Sequence, residues 1–344
     1  MVNYVALKAE LDSCKNPLFF FHDDTDGLCS FLQFYKYKKE GHWTIVKSRP
    51  HIDENFLRRV EEYDPGKIFV LDIAEIEQDF IDKAKRPIIW VDHHEPPECE
   101  GVKRFNPRLD TPPQNIPTTL LCYNALENDS FAQEIQWIAM VGTVADWHIP
   151  EWKDIFCQRY PDLLDKKITR PEVALFESQV GKLARIFQFV TKGPMPDVKK
   201  NIAALLKIKD PYEILHQTTE TGAYLSRRFA PINKQYEELW KELQQCIGKD
   251  KFIVFTYSEN KTSFTAELAT EAIYRNPEKI VVVCREKSGE MRCSLRSSGV
   301  QILPLIKKAL VGIQGYGGGH EYACGAGIKK EDFERFLVNI REQL

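Results

Sequence analysis

Three sites in the sequence carry acidic residues, and two of them also carry histidine. Each site lies at the end of an apolar run or directly after it. The first is His22-Asp23-Asp24-Thr25-Asp26-Gly27, which comes after the run PLFFF. Carboxylates so close together repel one another, and a bound divalent cation removes that repulsion. A solvated loop or a helix cap tolerates the same charges, so this stretch taken alone does not favour a cation site.

The second and third stretches end two further apolar runs. Asp72 closes KIFVLD, and Asp92-His93-His94 closes RPIIWVDHH. In an open parallel sheet, the carboxyl ends of the strands lie along one edge, where ligands bind. We therefore expect these two stretches and the first one to converge in space.

Asp146, in GTVADWH after a predicted helix, supplies a further carboxylate that can reach the same edge. The combined set offers carboxylate oxygens and imidazole nitrogens but no thiolate. This chemistry suits Mn²⁺ or Mg²⁺ better than a structural zinc ion. A bound metal is the simplest explanation for three strand ends that share it.

The elements that must position these residues follow an alternating pattern. From residue 17 to about 107, short apolar runs alternate with amphipathic segments, which predicts an α/β fold with a parallel sheet. The predicted strands cover 17–21, 43–48, 67–72, 86–92 and 102–107, and the predicted helices cover 27–39, 53–63, 118–128 and 131–145.

The chain changes character after about residue 150. Helical segments follow in series to about 248, and the prolines among them suit helix ends. Strand signals return at 251–258, 279–287 and 291–298, before a glycine-rich loop GYGGGH and a terminal helix over 331–343. We expect a catalytic domain over 1–150, a helical connector over 151–248 and a smaller α/β substrate domain over 249–344, with the metal site in the cleft between the domains.

The composition sets limits on the class of protein. A chain of 344 residues with 43% hydrophobic and 28% charged residues is long enough for two folded domains. It contains no apolar stretch near the roughly 18 residues that span a bilayer and no signal-peptide core, so we expect a cytoplasmic protein without membrane association. A net charge of −3 gives no global attraction to nucleic acid, so any nucleic-acid binding must come from a local basic groove or from the metals.

Several other residues bear on function or on packing. The nine cysteines are an odd number without a CxxC pair, so we expect them to be reduced and mostly buried. Trp147, beside Asp146, is expected to pack in the core, whereas Tyr316 suits core packing and stacking on a base equally well. Six basic residues could line a nucleic-acid path, although most are expected to be simply solvated: Arg49, Lys199, Lys200, Lys207, Arg285 and Arg292.

The order of these stretches resembles the motifs of the DHH phosphoesterase superfamily, and the resemblance covers nearly the whole chain. His22-x-Asp24-x-Asp26-Gly27 resembles the first motif, Asp72 the second, Asp92-His93-His94 the third and Asp146 the fourth. The superfamily includes RecJ-type exonucleases, oligoribonucleases, phosphatases of 3′-phosphoadenosine phosphate and family II pyrophosphatases.

The resemblance implies two divalent cations, Mn²⁺ before Mg²⁺. One would be bound by His22, Asp24 and Asp72, and the other by Asp26, Asp72, His93 and Asp146, so that Asp72 bridges the pair. It also implies that Asp92 orients the histidines and that His94 contacts the scissile phosphate.

The C-terminal segment resembles the DHH-associated substrate domain through Gly317-Gly318-Gly319-His320 and Ser294-Leu295-Arg296-Ser297. Glycines let backbone N–H groups approach a phosphate, and Arg296 and His320 can donate charge-assisted hydrogen bonds to it. The implied substrate-binding residues are Arg296, Ser297, Gly317, Gly318, Gly319 and His320, with Arg296 and His320 also implied in catalysis together with Asp92 and His94. Pyrophosphate hydrolysis becomes remote, because family II pyrophosphatases carry a different second domain.

The leading functional hypothesis is a RecJ-like exonuclease, with HDDTDGL similar to archaeal members, that hydrolyses single-stranded DNA or RNA from an end. The alternatives are a nanoRNase or oligoribonuclease acting on short oligonucleotides, and a 3′-phosphoadenosine phosphate phosphatase. A hypothesis of another class is a non-catalytic scaffold that binds replication or repair proteins.

Overall fold

The computed structural model describes residues 1–47 and 51–344. Ser48, at the end of a predicted strand, and Arg49, in the predicted basic path, lie outside the described residues. The chain divides into two compact units, residues 1–229 and 230–344. Among the described residues, no helix combines the length and the apolar character needed to cross a bilayer.

The first unit is built around a parallel sheet, as the alternating pattern predicts. Its strands are, in chain order, β1 Leu18–His22, β2 His42–Val46, β3 His51–Ile52, β4 Ile68–Leu71, β5 Glu75–Ile76, β6 Ile88–Val91 and β7 Val102–Phe105. The main sheet has five strands in the order β2-β1-β4-β6-β7, all parallel, while β3 and β5 form a separate parallel pair.

The three central strands are apolar on both faces because both faces are covered. Along β1, Phe19 and Phe21 enter one hydrophobic core, while Leu18 and Phe20 enter another. The same alternation holds in β4 and β6, so every residue of these two strands is buried. This double burial explains the continuous apolar runs in the sequence.

Helices cover the sheet and fill the rest of the first unit. They are α1 Tyr4–Ser13, α2 Thr25–Lys38, α3 Leu57–Tyr63, α4 Gln78–Ala84, α5 Thr118–Leu126, α6 Ala132–Ala145, α7 Lys153–Arg159, α8 Pro171–Glu177, α9 Gln179–Val190, α10 Met195–Leu205 and α11 Pro211–Leu215. A long helix, α12 Glu220–Gln245, contains the boundary between the units. The predicted helical character of 151–248 is therefore observed, while domain boundaries at 150 and 248 and a site in an interdomain cleft stay predictions.

The second unit contains the C-terminal part of α12, a five-stranded mixed sheet and three further α-helices. Its elements are β8 Phe252–Tyr257, α13 Thr265–Arg275, β9 Ile280–Lys287, β10 Glu290–Ser297, α14 Ile302–Ala309, β11 Gly315–Gly319, β12 Ala323–Lys329 and α15 Phe333–Arg341. The strand order is β11-β12-β10-β9-β8, in which only β8 and β9 are parallel.

The glycine-rich segment is mostly a strand, and the prediction of a loop is wrong for that part. Residues Gly315–Gly319 form β11, an edge strand paired antiparallel with β12. Glycine suits this strand because a Cβ atom on Gly317 would lie only 2.7 Å from Cγ2 of Ile306 in α14. The close approach of helix and strand therefore selects glycine, which the composition alone presents as a turn signal.

Cys284 in β9 and Cys293 in β10 form a disulfide, so the prediction that every cysteine is reduced is wrong for this pair. The two residues lie directly opposite each other in the antiparallel register, with their Cα atoms 4.0 Å apart. The spacing of the cysteines in the sequence does not indicate this pairing, because it depends on the register of the two strands. The other cysteines are free, and most of them are buried.

Candidate metal centre

Three neighbouring strands of the first unit end at the candidate site. His22 is the last residue of β1, Asp72 directly follows β4, and Asp92 directly follows β6. Because these strands are parallel, their carboxyl ends lie at the same edge. Asp72 Oδ2 lies 3.4 Å from His22 Nδ1, and Asp72 Oδ1 lies 3.5 Å from His93 Nε2.

The start of α2 places two further carboxylates at this edge. Asp24 caps the helix, accepting a 2.9 Å hydrogen bond from the backbone N–H of Gly27, and its Oδ2 lies 3.0 Å from His22 Nδ1. Asp26 lies in the first turn and is almost fully buried. Gly27 permits this tight strand-to-helix turn, since a Cβ atom there would lie 2.6 Å from the carbonyl oxygen of His22.

The start of α5 also faces the site, a feature that the sequence motifs did not reveal. The backbone N–H groups of Thr118 and Thr119 donate to the two carboxylate oxygens of Asp26, at 2.9 and 2.7 Å. The Thr118 hydroxyl lies 3.4 Å from Asp72 Oδ1. The predicted helix starting at 118 was the available signal, because helix N-termini attract carboxylates.

Asp146 reaches the site from the C-terminal end of α6, where it is the capping residue. Its Oδ2 lies 3.6 Å from His93 Nδ1. All six predicted metal ligands are thus brought to one place in the first unit.

The donor atoms form three groups whose members lie within 4.8 Å of one another: His22, Asp24 and Asp72; Asp26, His93 and Asp146; Asp72, His93 and His94. Asp72 belongs to two of these groups, as a bridging ligand would. Two atoms of the set, His22 Nδ1 and Asp72 Oδ2, are buried and lie 3.4 Å apart without forming a well-aligned hydrogen bond. Buried polar atoms in this position, surrounded by hard oxygen and imidazole donors, fit divalent cations.

Asp72 itself has an unusual backbone. Its φ of +56° lies in the left-handed region, which aspartate adopts more readily than most residues but still at a cost. A strained backbone at the residue shared by two donor groups is typical of a functional site.

Burial and mutual repulsion perturb the titration of these carboxylates. Burial, followed by the charges of Asp24 and Asp26, raises the pKa of Asp72 well above its ordinary value. Burial likewise raises the pKa of Asp146. Burial alone would lower the pKa of His22, but the neighbouring Asp24 outweighs it and the pKa is raised. A cation bound among these groups would relieve the repulsion.

Asp92 fixes the loop that carries the histidines. Its two carboxylate oxygens bind His94, one at the backbone N–H (2.9 Å) and the other at ring Nδ1 (2.8 Å). The side-chain amide of Asn106 donates a 2.9 Å hydrogen bond to the carbonyl oxygen of His94. The ring of His94 is therefore held by Nδ1, with Nε2 pointing away from Asp92.

The predicted substrate-binding residues of the second unit lie near one end of its sheet. β10 and β11 flank β12, run in the same direction and end beside its first residue, Ala323. Arg296 lies opposite Ala323, and the backbone N–H of His320 donates to the Ala323 carbonyl at 2.9 Å. Arg296 Nη1 donates to the carbonyl of Leu295 (2.9 Å), and its Nε donates to the Thr270 hydroxyl (3.2 Å).

The other members of this set differ in accessibility. Ser297 is buried, and its hydroxyl accepts from the backbone N–H of Val300 at 3.0 Å. The three glycines and His320 lie at the surface, on or directly after the edge strand. The glycine backbone and His320 are therefore accessible to a ligand, while Ser297 supports the chain that follows β10.

Both aromatic residues for which the sequence raised base stacking, Trp147 and Tyr316, lie at the surface. Trp147 was predicted to pack in the core and this is wrong, because 43% of it is exposed. It follows the end of α6 with a left-handed φ of +58°, which turns the chain away from the helix. Tyr316 is 62% exposed in the edge strand.

The basic residues in the predicted nucleic-acid path are mostly solvated, as expected. Lys199, Lys200, Lys207 and Arg292 are exposed. Arg285 donates to the carbonyl oxygen of Glu259 at 2.5 Å.

Comparison with protein families gives two matches. The DHH family N-terminal domain matches residues 18–143, and the DHHA1 domain matches residues 249–344. Curated protein sequences gave no significant match.

Solved structures with the same fold include the exonuclease RecJ, the phosphodiesterase PggH and CDC45. RecJ from Thermus thermophilus in complex with Mn²⁺ is 16% identical, with a TM-score of 0.67 over 99% of this chain and 54% of RecJ. The pGpG-specific phosphodiesterase PggH from Vibrio cholerae is 13% identical (TM-score 0.53, 96% of this chain and 98% of PggH). CDC45 from Entamoeba histolytica is 10% identical (TM-score 0.55, 98% of this chain and 96% of CDC45). This chain thus spans about half the length of the Thermus RecJ, and identities this low show a shared fold alone.

Proposed function

The chain belongs to the DHH superfamily and is a metal-dependent hydrolase, and from this premise we propose that it is a two-cation phosphodiesterase that removes nucleotides from an end of single-stranded DNA or RNA. The observation that carries the proposal is the position of Asp72. Its carboxylate is shared by the donor group of His22 and Asp24 and by the donor group of the histidines. Such sharing is what a bridging ligand between two cations requires.

We assign the ligands as the resemblance implies. His22, Asp24 and Asp72 would hold one cation, and Asp26, Asp72, His93 and Asp146 the other. Two bound cations make a water nucleophile available near neutral pH and neutralise charge on the phosphate. We favour Mn²⁺ and allow Mg²⁺, since the same Thermus RecJ fold has been solved in complex with either ion.

The residues around the cations have separate tasks in this proposal. Asp92 holds His94 by Nδ1, so that Nε2 is the ring nitrogen able to donate to a non-bridging phosphate oxygen. Burial alone would lower the pKa of His94, but the hydrogen bond and charge of Asp92 together with the charge of Asp24 outweigh it and raise the pKa, which favours the protonated, donating form. On this basis, we propose that His94 contacts the scissile phosphate through Nε2.

We assign substrate binding to the second unit. The edge strand Gly317-Gly318-Gly319 lets a phosphate approach its backbone closely because these residues lack side chains, and the register leaves the N–H groups of Gly317 and Gly319 outside the ladder with β12. The ring of His320 at the end of the edge strand can donate to the same phosphate. Arg296 supplies positive charge beside them, and Ser297 fixes the chain that follows. The ligand in this proposal is single-stranded DNA or RNA, whereas short oligonucleotides belong to the alternative described next; replication or repair proteins are proposed as further partners.

Substrate length separates this proposal from its closest alternative. A nanoRNase-type enzyme or a 3′-phosphoadenosine phosphate phosphatase needs only two compact units, and the likeness to PggH supports that alternative. The test compares turnover of a dinucleotide, 3′-phosphoadenosine phosphate and end-labelled single strands of about 20 nucleotides, longer than one single-strand-binding fold covers. Stepwise shortening of the long strands supports the exonuclease, whereas preference for either small substrate overturns it in favour of the alternative.

A non-catalytic scaffold is the candidate from a different class, and the likeness to CDC45 supports it. The presence of all six predicted metal ligands argues against a non-catalytic role. Absence of hydrolysis with every substrate, in Mn²⁺ and in Mg²⁺, would favour the scaffold.

A further inference from the structure

Three side chains beside the metal centre are joined in a way that no motif of the sequence indicates. Arg108 Nε donates a 3.1 Å hydrogen bond to the carbonyl oxygen of His93. Arg108 Nη2 lies 3.1 Å from Asn115 Oδ1, and the same oxygen lies 3.3 Å from His93 Nδ1. Arg108 and Asn115 belong to the segment between β7 and α5, which follows the loop that carries His93 and His94.

The chemistry of the groups fixes the direction of each hydrogen bond. A guanidinium can only donate, so the Asn115 atom that faces Arg108 must be the carbonyl oxygen and not the NH₂ group. That oxygen can only accept, and therefore His93 Nδ1 must carry the hydrogen. A neutral imidazole has a single N–H, so the lone pair of His93 lies on Nε2.

Nε2 is the nitrogen that faces the candidate metal site. It lies 3.5 Å from Asp72 Oδ1 and 4.0 Å from Asp26 Oδ2. The carboxylate of Asp146 is 3.6 Å from Nδ1, which is too long for a hydrogen bond, and as an acceptor it also favours a hydrogen on Nδ1. Once Asp146 is committed to a cation, Asn115 is the acceptor left to Nδ1.

We propose that Asn115 and Arg108 are positioning residues that hold His93 as the Nδ1–H tautomer, with the Nε2 lone pair aimed at the cation. This inference rests on the proposed function in one respect, namely that His93 binds metal. Ligating histidines elsewhere donate their second ring N–H to an oxygen acceptor, and loss of such an acceptor costs about 10- to 100-fold in metal affinity or activity. Arg108 forms no ion pair within residues 1–47 and 51–344, so neutral oxygens are the acceptors of its hydrogen bonds here.

The first test reads the tautomer directly in metal-free wild-type protein. Long-range ¹H–¹⁵N spectra of histidine-labelled protein, at a pH where the imidazole is neutral, report which ring nitrogen carries hydrogen. A His93→Gln variant assigns the signal among the eight histidines. We expect Nδ1–H for His93, and an Nε2–H tautomer overturns the proposal whether or not any variant folds.

The second test measures Mn²⁺ affinity by calorimetry on intact variants of the full chain. Asn115→Leu should weaken Mn²⁺ binding about 10- to 100-fold and make His93 a mixture of tautomers, while Asn115→Asp, which keeps an oxygen acceptor, should retain most of the affinity. Arg108→Lys should weaken Mn²⁺ binding as much as Asn115→Leu does, because a single ammonium group cannot replace a guanidinium that donates to two acceptors. Gln114→Ala, on the exposed neighbour, is the matched control.

The outcomes separate this inference from the proposed function. If wild-type protein binds no Mn²⁺, the metal site itself is wrong and the inference falls with it. If wild-type protein binds Mn²⁺ and folded Asn115→Leu binds it equally well, the metal site stands and the positioning role is refuted.

Discussion

The backbone N–H of Thr119 donates a 2.7 Å hydrogen bond to Asp26 Oδ1, while the N–H of Thr118 binds the other oxygen of the same carboxylate. The N-terminus of α5 thus binds both oxygens of a buried carboxylate, one of which lies 4.0 Å from His93 Nε2. Burial raises the pKa of Asp26, and His93 and Thr119 act against that effect. The helix dipole and the two N–H groups favour the ionised form that a cation needs.

This relationship predicts that Thr118→Pro weakens metal binding without disrupting α5. Proline suits the first helical position, and the preceding Pro117 already has an extended backbone (φ −52°, ψ 145°). The substitution removes the N–H that binds Asp26, so we expect Mn²⁺ affinity to fall by about tenfold, at the lower end of the effect of lost supporting contacts.

Calorimetric Mn²⁺ titration, with circular dichroism to confirm helix content, measures this effect. Thr118→Val, which keeps the N–H and removes only the hydroxyl near Asp72, is the matched control and should lose less. Equal affinity in Thr118→Pro and wild type would show that the helix terminus does not support Asp26.

The proposed substrate site predicts a selective effect of His320→Ala. The residue is exposed at the end of the edge strand, so its loss should leave the fold intact. We expect a raised KM with a smaller change in kcat, because the contact would serve substrate binding. Glu321→Ala, at the exposed neighbour, is the control, and an unchanged KM in His320→Ala would count against the second unit as the substrate holder.

The perturbed pKa values predict how the stability of metal-free protein depends on pH. Burial raises the pKa of Asp72 and Asp146 in the folded chain, whereas in the unfolded chain both titrate near the ordinary value of about 4. The folded state then binds more protons, so stability is greatest below that value and is lost as pH rises through the raised pKa values. Bound Mn²⁺ should offset the loss, because it binds the ionised carboxylates.

Melting temperatures measured from about pH 5 upward, in EDTA and in excess Mn²⁺, test this linkage. We expect a fall with rising pH in EDTA and a smaller fall or a rise in Mn²⁺. Parallel curves in the two conditions would contradict it.

The fold and the metal centre were largely accessible from the sequence because they depend on regular geometry. Apolar runs buried on both faces identify parallel strands, and parallel strands must end at one edge, so the meeting of His22, Asp72 and Asp92 follows from their positions at strand ends. Asp146 was predicted to follow a helix and to reach this edge, and in the structure it caps the C-terminal end of α6.

The missed features depend on irregular backbone or on contacts distant in sequence. Asn115 lies in an irregular segment, and only the hydrogen bond of Arg108 fixes its role. The exposure of Trp147 follows from one left-handed residue after α6, which periodicity does not encode. The pairing of Cys284 with Cys293 requires strand register, and the composition of the sequence does not supply it.

The central claim is that Asp72 joins two cations in a phosphodiesterase site, and one measurement tests it most directly. Metal-free wild type and Asp72→Asn are compared for hydrolysis of a single-stranded oligonucleotide as Mn²⁺ is added. Asparagine keeps the size of the side chain and tolerates the left-handed backbone, so the variant removes the charge and one of the two acceptor oxygens without changing the shape. We predict Mn²⁺-dependent hydrolysis by wild type and none by Asp72→Asn; hydrolysis in EDTA, or equal rates in the two proteins, would contradict the account.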